Sequence, residues 1–148
     1  MTQPIDVLIQ TSKDGIILPQ YAHKGDSGMD IRNAGESVSI PPLGRALIPT
    51  SLSVAIPEGY EIQIRPRSGL ALRKGISVLN SPGTIDSNYR GEIGIILFNL
   101  SNENVVIEPH ERIAQLVLNR VYAIRWKEEL KLEKSNRNSG GFGSTGTE

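Results

Sequence analysis

Cysteine is absent from the 148 residues, which excludes disulfides and thiolate metal sites and suits a reducing compartment. Net charge is absent too. Sixteen basic and sixteen acidic side chains cancel, so no long-range field draws the chain to nucleic acid or to a membrane surface. No apolar run approaches the roughly 18 residues of a membrane span, and no basic segment leads into an apolar one at the N-terminus. A cytoplasmic protein with neither nucleic-acid nor membrane partners is therefore expected. Histidine is scarce: His23 and His110 lie far apart in sequence, and there is no HExxH, EF-hand loop or carboxylate cluster to suggest a protein-built metal cage. Aromatics are few, with one Trp, four Tyr and two Phe.

What the chain does have is regular punctuation. Ile5, Val7 and Ile9 alternate with polar residues, as do Val38 and Ile40, then Leu52, Val54 and Ile56, then Tyr60, Ile62 and Ile64. That is the period of half-buried strands, and the segments are separated by Pro41-Pro42-Leu43-Gly44 and Pro57-Glu58-Gly59. Ile93 to Leu100, Val105 to Ile107 and Ile113 to Val121 continue the series, with Ser101–Asn104 and Glu108–Glu111 reading as hairpin connections. Ile113, Leu116, Val117, Leu118 and Val121 also fit an amphipathic helix. Ser68–Lys74 has the composition of a short helix, with Ser68 as a candidate N-cap and Gly75 just past its end. Short strands between Pro and Gly turns predict an all-β sandwich or barrel. A chain of this length buries roughly 70% of its unfolded surface, enough for one domain. Trp126 reads as a packing residue, whereas Ser135 to Glu148 carries one aromatic and no other large apolar side chain.

One stretch concentrates chemistry. Gly83 to Gly91 reads GTIDSNYRG, placing an acid, a hydroxyl, an amide and an aromatic between turning glycines. Asp86 has the chemistry to take a proton from water, and Tyr89 offers a flat face to a sugar or base. Asp-Ser-Asn is equally ordinary turn chemistry, and Tyr89 equally an aromatic core residue. Arg67, with Ser68 and the amides of Ser68 and Gly69 at the helix start, offers donors to phosphate, or else an exposed side chain and a simple cap. Gln115 is either outward-facing or a buried amide in need of a partner.

The stretch resembles the third motif of the trimeric dUTPase family, and four further motifs follow the family's order. AHKGDSGMDIR at 22–32 is similar to the first, PRSGLALRKGI at 66–76 to the second, ERIAQLVL at 111–118 to the fourth and RNSGGFGSTG at 137–146 to the fifth. The resemblance implies a jelly-roll-like β-barrel of the β-clip type with one short helix, a barrel domain over 1–134 and a mobile lid segment over 135–148. It implies hydrolysis of dUTP to dUMP and pyrophosphate by water attack on the α-phosphorus, with Asp86 as the base. Uracil would pair with Asn80 and with the backbone of Gly83, Thr84 and Ile85, and the Tyr89 ring would pack on the deoxyribose. Arg67, Ser68, Gly69 and Gln115 would hold the phosphates, while Arg112 serves a structural ion pair. From the tail, Phe142 would stack on uracil, and Arg137, Gly143, Ser144 and Thr145 would close over the phosphates. Mg2+ would bind through the substrate, with Asp30 holding one of its waters or acting structurally. The family also implies a homotrimer with active sites between subunits.

Two rivals remain at this point. dCTP deaminases share the fold, but the glutamate they use in deamination aligns with Ile96, which transfers no proton. Gly94 stands where dUTPases often carry a longer side chain. The other rival is a non-catalytic regulatory protein on the same scaffold. The tail also contains GFGSTG, a literal GxGxxG, yet it follows no strand and has no room for a helix, so it is no dinucleotide site.

Overall fold

The structure, a computed structural model, describes residues 3–143. In chain order it comprises β1 (Leu8–Thr11), β2 (Met29–Arg32), β3 (Val38–Ile40), β4 (Arg45–Pro49), β5 (Leu52–Ala55) and β6 (Tyr60–Arg65). Then come helix α1 (Ser68–Lys74), β7 (Ile76–Val78), β8 (Gly83–Ile85), β9 (Gly94–Asn99), β10 (Val105–Ile107) and β11 (Arg112–Arg120). The strands form a four-stranded sheet β2-β11-β6-β8, a three-stranded sheet β4-β9-β7, and the pairs β1-β5 and β3-β10. All of these ladders are antiparallel.

Among the described residues no ladder joins strands that are consecutive in sequence. This corrects the reading of Ser101–Asn104 and Glu108–Glu111 as hairpin connections. Each turn carries the chain from one sheet to another, which is the jelly-roll-like habit. Asn99 organises the first of them: its buried amide donates to the carbonyls of Ile40 and Glu103, and its oxygen accepts from the Ser101 N–H.

β11 is a strand because it is paired on both edges, with β2 and with β6. A central strand buried on both faces loses strict alternation, and this produced the helical look of Ile113 to Val121. Its Ile113 and Ala114 join Ile31, Ile48, Ile95 and Leu97 in the buried core. α1 spans the expected residues and ends at Gly75, whose φ of 65° suits glycine. Its N-cap, however, is Arg67, and no side chain caps it; Ser68 is already helical. The first strand begins three residues later than Ile5, and all four of its residues are exposed. Trp126, expected to pack, is 86% exposed in the single chain.

Candidate active site

The third-motif loop is built on β8, whose Gly83 pairs with Ile64 of β6. A Cβ at Gly83 would lie 3.1 Å from the Ile64 Cβ and 3.4 Å from the Asn80 amide nitrogen. Glycine is therefore what lets Asn80 and the Gly83 backbone share one slot. The segment leading to it is held by the Leu79 N–H, which donates to the Ile96 carbonyl (2.9 Å), and by the Ser81 hydroxyl, which donates to the Val78 carbonyl. Gly94 leaves room for Leu47, which a Cβ there would approach to 2.7 Å.

Beyond β8 the chain turns, with the Tyr89 N–H donating to the Asp86 carbonyl at 3.1 Å. The Arg90 guanidinium donates to the carbonyls of Ser87 and Tyr89. Asp86 is exposed at the rim of an open cleft of about 810 Å³ shared with Glu58, Tyr60, Glu61 and Arg90. Tyr89 is held from behind. Its hydroxyl donates to the Glu92 carbonyl at 2.9 Å, and a Cβ on Gly91 would come within 2.4 Å of that hydroxyl. Gly91 lies close against the hydroxyl end of the ring, and with 43% of the residue exposed the ring has surface to offer.

A second cluster forms where β2 meets β11. Register places Gln115 beside Asp30 on one edge and Arg65 on the other. Asp30 accepts from Arg67 Nε at 2.9 Å through one oxygen and from Arg112 Nη1 at 3.1 Å through the other. Arg67 also donates to the Arg112 carbonyl at 3.2 Å. The guanidinium expected to offer an open fork is thus already braced, with Nε and Nη1 engaged. The amides of Ser68 and Gly69 lie in the uncapped first turn beside it. Asp30 and Gln115 also line a small cavity of about 190 Å³ with Asp26, Ser27 and Gly28.

This donor set fits the outer-sphere role of a Mg2+ site better than a direct one. Each Asp30 oxygen has one lone pair committed to an arginine, leaving acceptor capacity for a water that a bound ion would carry. Among the described residues no group of three or more His, Asp or Glu side chains forms a metal cage.

Asp86 and Arg67 lie toward opposite ends of β6 in one chain. Ile85 pairs with Ile62, so Asp86 leaves the sheet beside the Glu61 end of β6, whereas Arg67 follows its other end. The strand rise separates them by roughly 20 Å. The tail meets neither by any hydrogen bond found among the described residues. Arg137 Nε donates to the Gly140 carbonyl, and Phe142 is fully exposed. Ser144 and Thr145 lie outside the described residues. Glu92 and Gly91 were missed as site residues, because a Gly-Glu pair after Tyr-Arg reads as the end of a turn.

Comparison with known proteins identifies the family and the fold. The sequence model of the dUTPase family matches residues 14–146. A deoxyuridine 5'-triphosphate nucleotidohydrolase of Fusobacterium nucleatum is 54% identical over 135 residues, covering 90% of this chain and 92% of that protein. One from a Hydrogenobaculum species is 51% identical over 140 residues, covering 95% and 97%. Among solved structures, the Staphylococcus bacteriophage 80alpha dUTPase with dUpNHpp superposes with a TM-score of 0.83 at 29% identity, covering 96% of this chain and 99% of that one. A phage phi11 dUTPase variant, described with a structural Mg(II) ion, shares the fold at a TM-score of 0.79 and 24% identity, covering 88% and 100%.

Proposed function

Because the chain belongs to the dUTPase family and hydrolyses dUTP to dUMP and pyrophosphate, we propose that its two clusters are complementary halves of sites completed between copies in a homotrimer. The reaction lowers dUTP and supplies dUMP for thymidylate synthesis. The separation of Asp86 from Arg67 along β6 carries the proposal. A nucleotide seated on Tyr89 and Asn80 of one chain finds its phosphate donors on another.

In that composite site, uracil lies in the slot made by Asn80 and the Gly83, Thr84 and Ile85 backbone. Its edge is matched by groups that a cytosine edge would leave unpaired. The deoxyribose packs on the open face of Tyr89. Arg67, Ser68, Gly69 and Gln115 of the neighbouring copy hold the phosphates. Asp86 orients a water and accepts its proton while the oxygen bonds to the α-phosphorus. The bond from that phosphorus to the bridging oxygen breaks, and pyrophosphate leaves. Asp30 would hold a water of an Mg2+ carried by the phosphates, and the ion would supply neutralisation of their charge. Residues 135–148 act as a lid on the 1–134 barrel, with Phe142 stacking on uracil and Arg137, Gly143, Ser144 and Thr145 closing over the phosphates.

The single chain itself favours partners of its own kind. Tyr122, Ile124, Trp126, Leu130 and Leu132 stand in water along a segment with no helix or strand. An apolar cavity of about 340 Å³ opens among Ile5, Ile9, Tyr21, Leu116 and Leu118. Exposed apolar side chains and an open apolar cavity support association with further copies. No helix of the described residues is long and apolar enough to cross a membrane; we place the protein in the cytoplasm.

Hydrolysis in heavy-oxygen water tests the assigned step. Label in dUMP is expected, and label in pyrophosphate would contradict attack at the α-phosphorus. Release from dUTP well above that from dCTP, dTTP and UTP, without ammonia from dCTP, tests the base slot and the reading of Ile96.

A further inference from the structure

The loop that carries Tyr89 is clamped at one point to a distant corner of the fold. Glu92 extends its carboxylate to the turn between β4 and β5, where one oxygen accepts the N–H groups of Thr50 (3.1 Å) and Ser51 (2.7 Å). Both of those residues are buried, and Ser51 has a φ of 57°, a left-handed conformation that a serine keeps only when its surroundings hold it. The same corner grips the next residue from both sides. The Thr50 hydroxyl donates to the Ile93 carbonyl at 2.6 Å, and the Ile93 N–H donates to the Leu52 carbonyl at 2.8 Å.

Glu92 is therefore fixed by its side chain to the corner and by its neighbour to β5, and its carbonyl is the acceptor that holds the Tyr89 hydroxyl. Gly91 between them leaves the ring lying against bare backbone. A ring tied at its hydroxyl, with Gly91 close against that end, has its height above the site set by the main chain. A slot that excludes a hydroxyl group from a sugar depends on that height to within a fraction of an ångström.

We propose that Glu92 is a positioning residue that sets the Tyr89 ring against the sugar, and so governs discrimination between deoxyribo- and ribonucleoside triphosphates without touching the substrate. The inference rests on the reading of Tyr89 as the sugar platform. Its chemistry is a carboxylate used as a double acceptor for main-chain donors, which is the strong form of such a bond.

The experiment compares kcat/KM for dUTP and UTP in the full-length protein and in four variants, with thermal melting and oligomer size measured alongside. Glu92→Ala should lower the dUTP-to-UTP ratio about tenfold, the scale of a small misplacement. Glu92→Gln keeps an acceptor oxygen and should hold the ratio within about twofold of the parent. Tyr89→Phe cuts the hydroxyl-to-carbonyl tie without touching the corner and should lower the ratio roughly threefold. If Glu92→Ala fails to fold, this variant alone decides: an unchanged ratio overturns the proposal, because the hydroxyl is the link. A Glu92→Ala protein with a lowered melting temperature but an unchanged ratio also overturns it, since the carboxylate would then serve stability alone. Tyr89→Ala separates the premise from the inference. A ratio it leaves intact removes Tyr89 as the platform, whereas a collapsed ratio there with an intact one in Glu92→Ala removes only the positioning role.

Discussion

The two ends of β6 solve different problems with different materials. At the Glu61 end Asp86 leaves the sheet and the Tyr89 ring is set by main-chain contacts with Gly91 and Glu92, while the Gly83 backbone and the Asn80 amide lie further along the strand beside Ile64. At the Arg65 end the site is made of charge, with Asp30 bracing Arg67 and Arg112 at 2.9 and 3.1 Å. A rigid backbone discriminates by shape and is indifferent to salt. A braced guanidinium recognises a polyanion by field and by fork geometry, and its hold weakens as ions screen it. In the proposed composite site, Tyr89 and Asp86 belong to one end of β6 and the phosphate donors to the other.

Asp86→Asn should have the largest effect, lowering kcat by about 10³-fold or more with KM for dUTP little changed. Comparable turnover in steady-state assays would remove Asp86 as the base and leave the shape end without chemistry. Removing the lid by truncation before Arg137 should reduce kcat/KM by roughly 10²-fold while the oligomer remains intact by sedimentation. At the charged end, Arg67→Ala should raise KM by roughly tenfold to a hundredfold. Raising ionic strength should mimic part of this loss in the parent and less of it in the variant. Gly91→Ala forces a methyl group to within 2.4 Å of the Tyr89 hydroxyl. Its main consequence should be a dUTP-to-UTP ratio about tenfold lower, with the salt response unaltered. A change outside both ends should spare the kinetics: Gly75→Ala places alanine at a φ of 65° with its Cβ 3.0 Å from the Ser101 backbone nitrogen, and denaturant unfolding should show a loss of about 2 kcal/mol.

Local features of this layout were legible in the sequence, and distant ones were not. The alternation of Tyr60, Ile62 and Ile64 and the composition of SGLALRK each report a nearest-neighbour property, and β6 and α1 lie where those patterns put them. The pairing of β11 with both β2 and β6 is not a local property, so its buried run read equally as helix. The Arg67 interaction with Asp30 spans 37 residues and the Glu92 interaction with Ser51 spans 41, and no periodicity carries such contacts. The candidate site residues were legible only through the motifs. Composition alone left Asp86 a base or a turn residue and Arg67 a phosphate donor or an exposed side chain, and their distribution between two ends of one strand appears only when register is known. Trp126 shows the converse: a large apolar side chain implies burial, but a single chain need not supply the surface that buries it.

The division of labour predicts that no chain can complete a site alone, and mixed oligomers test that most directly. Asp86→Asn and Arg67→Ala proteins would be co-expressed in equal amounts, purified as mixed oligomers and assayed for pyrophosphate release at dUTP concentrations near the parental KM, where each variant is impaired by itself. If each site takes its acid from one copy and its arginine from another, random assembly restores roughly a quarter of the parental sites. Activity no higher than the mean of the two variants would mean that both groups act from the same chain, and the composite site would be wrong.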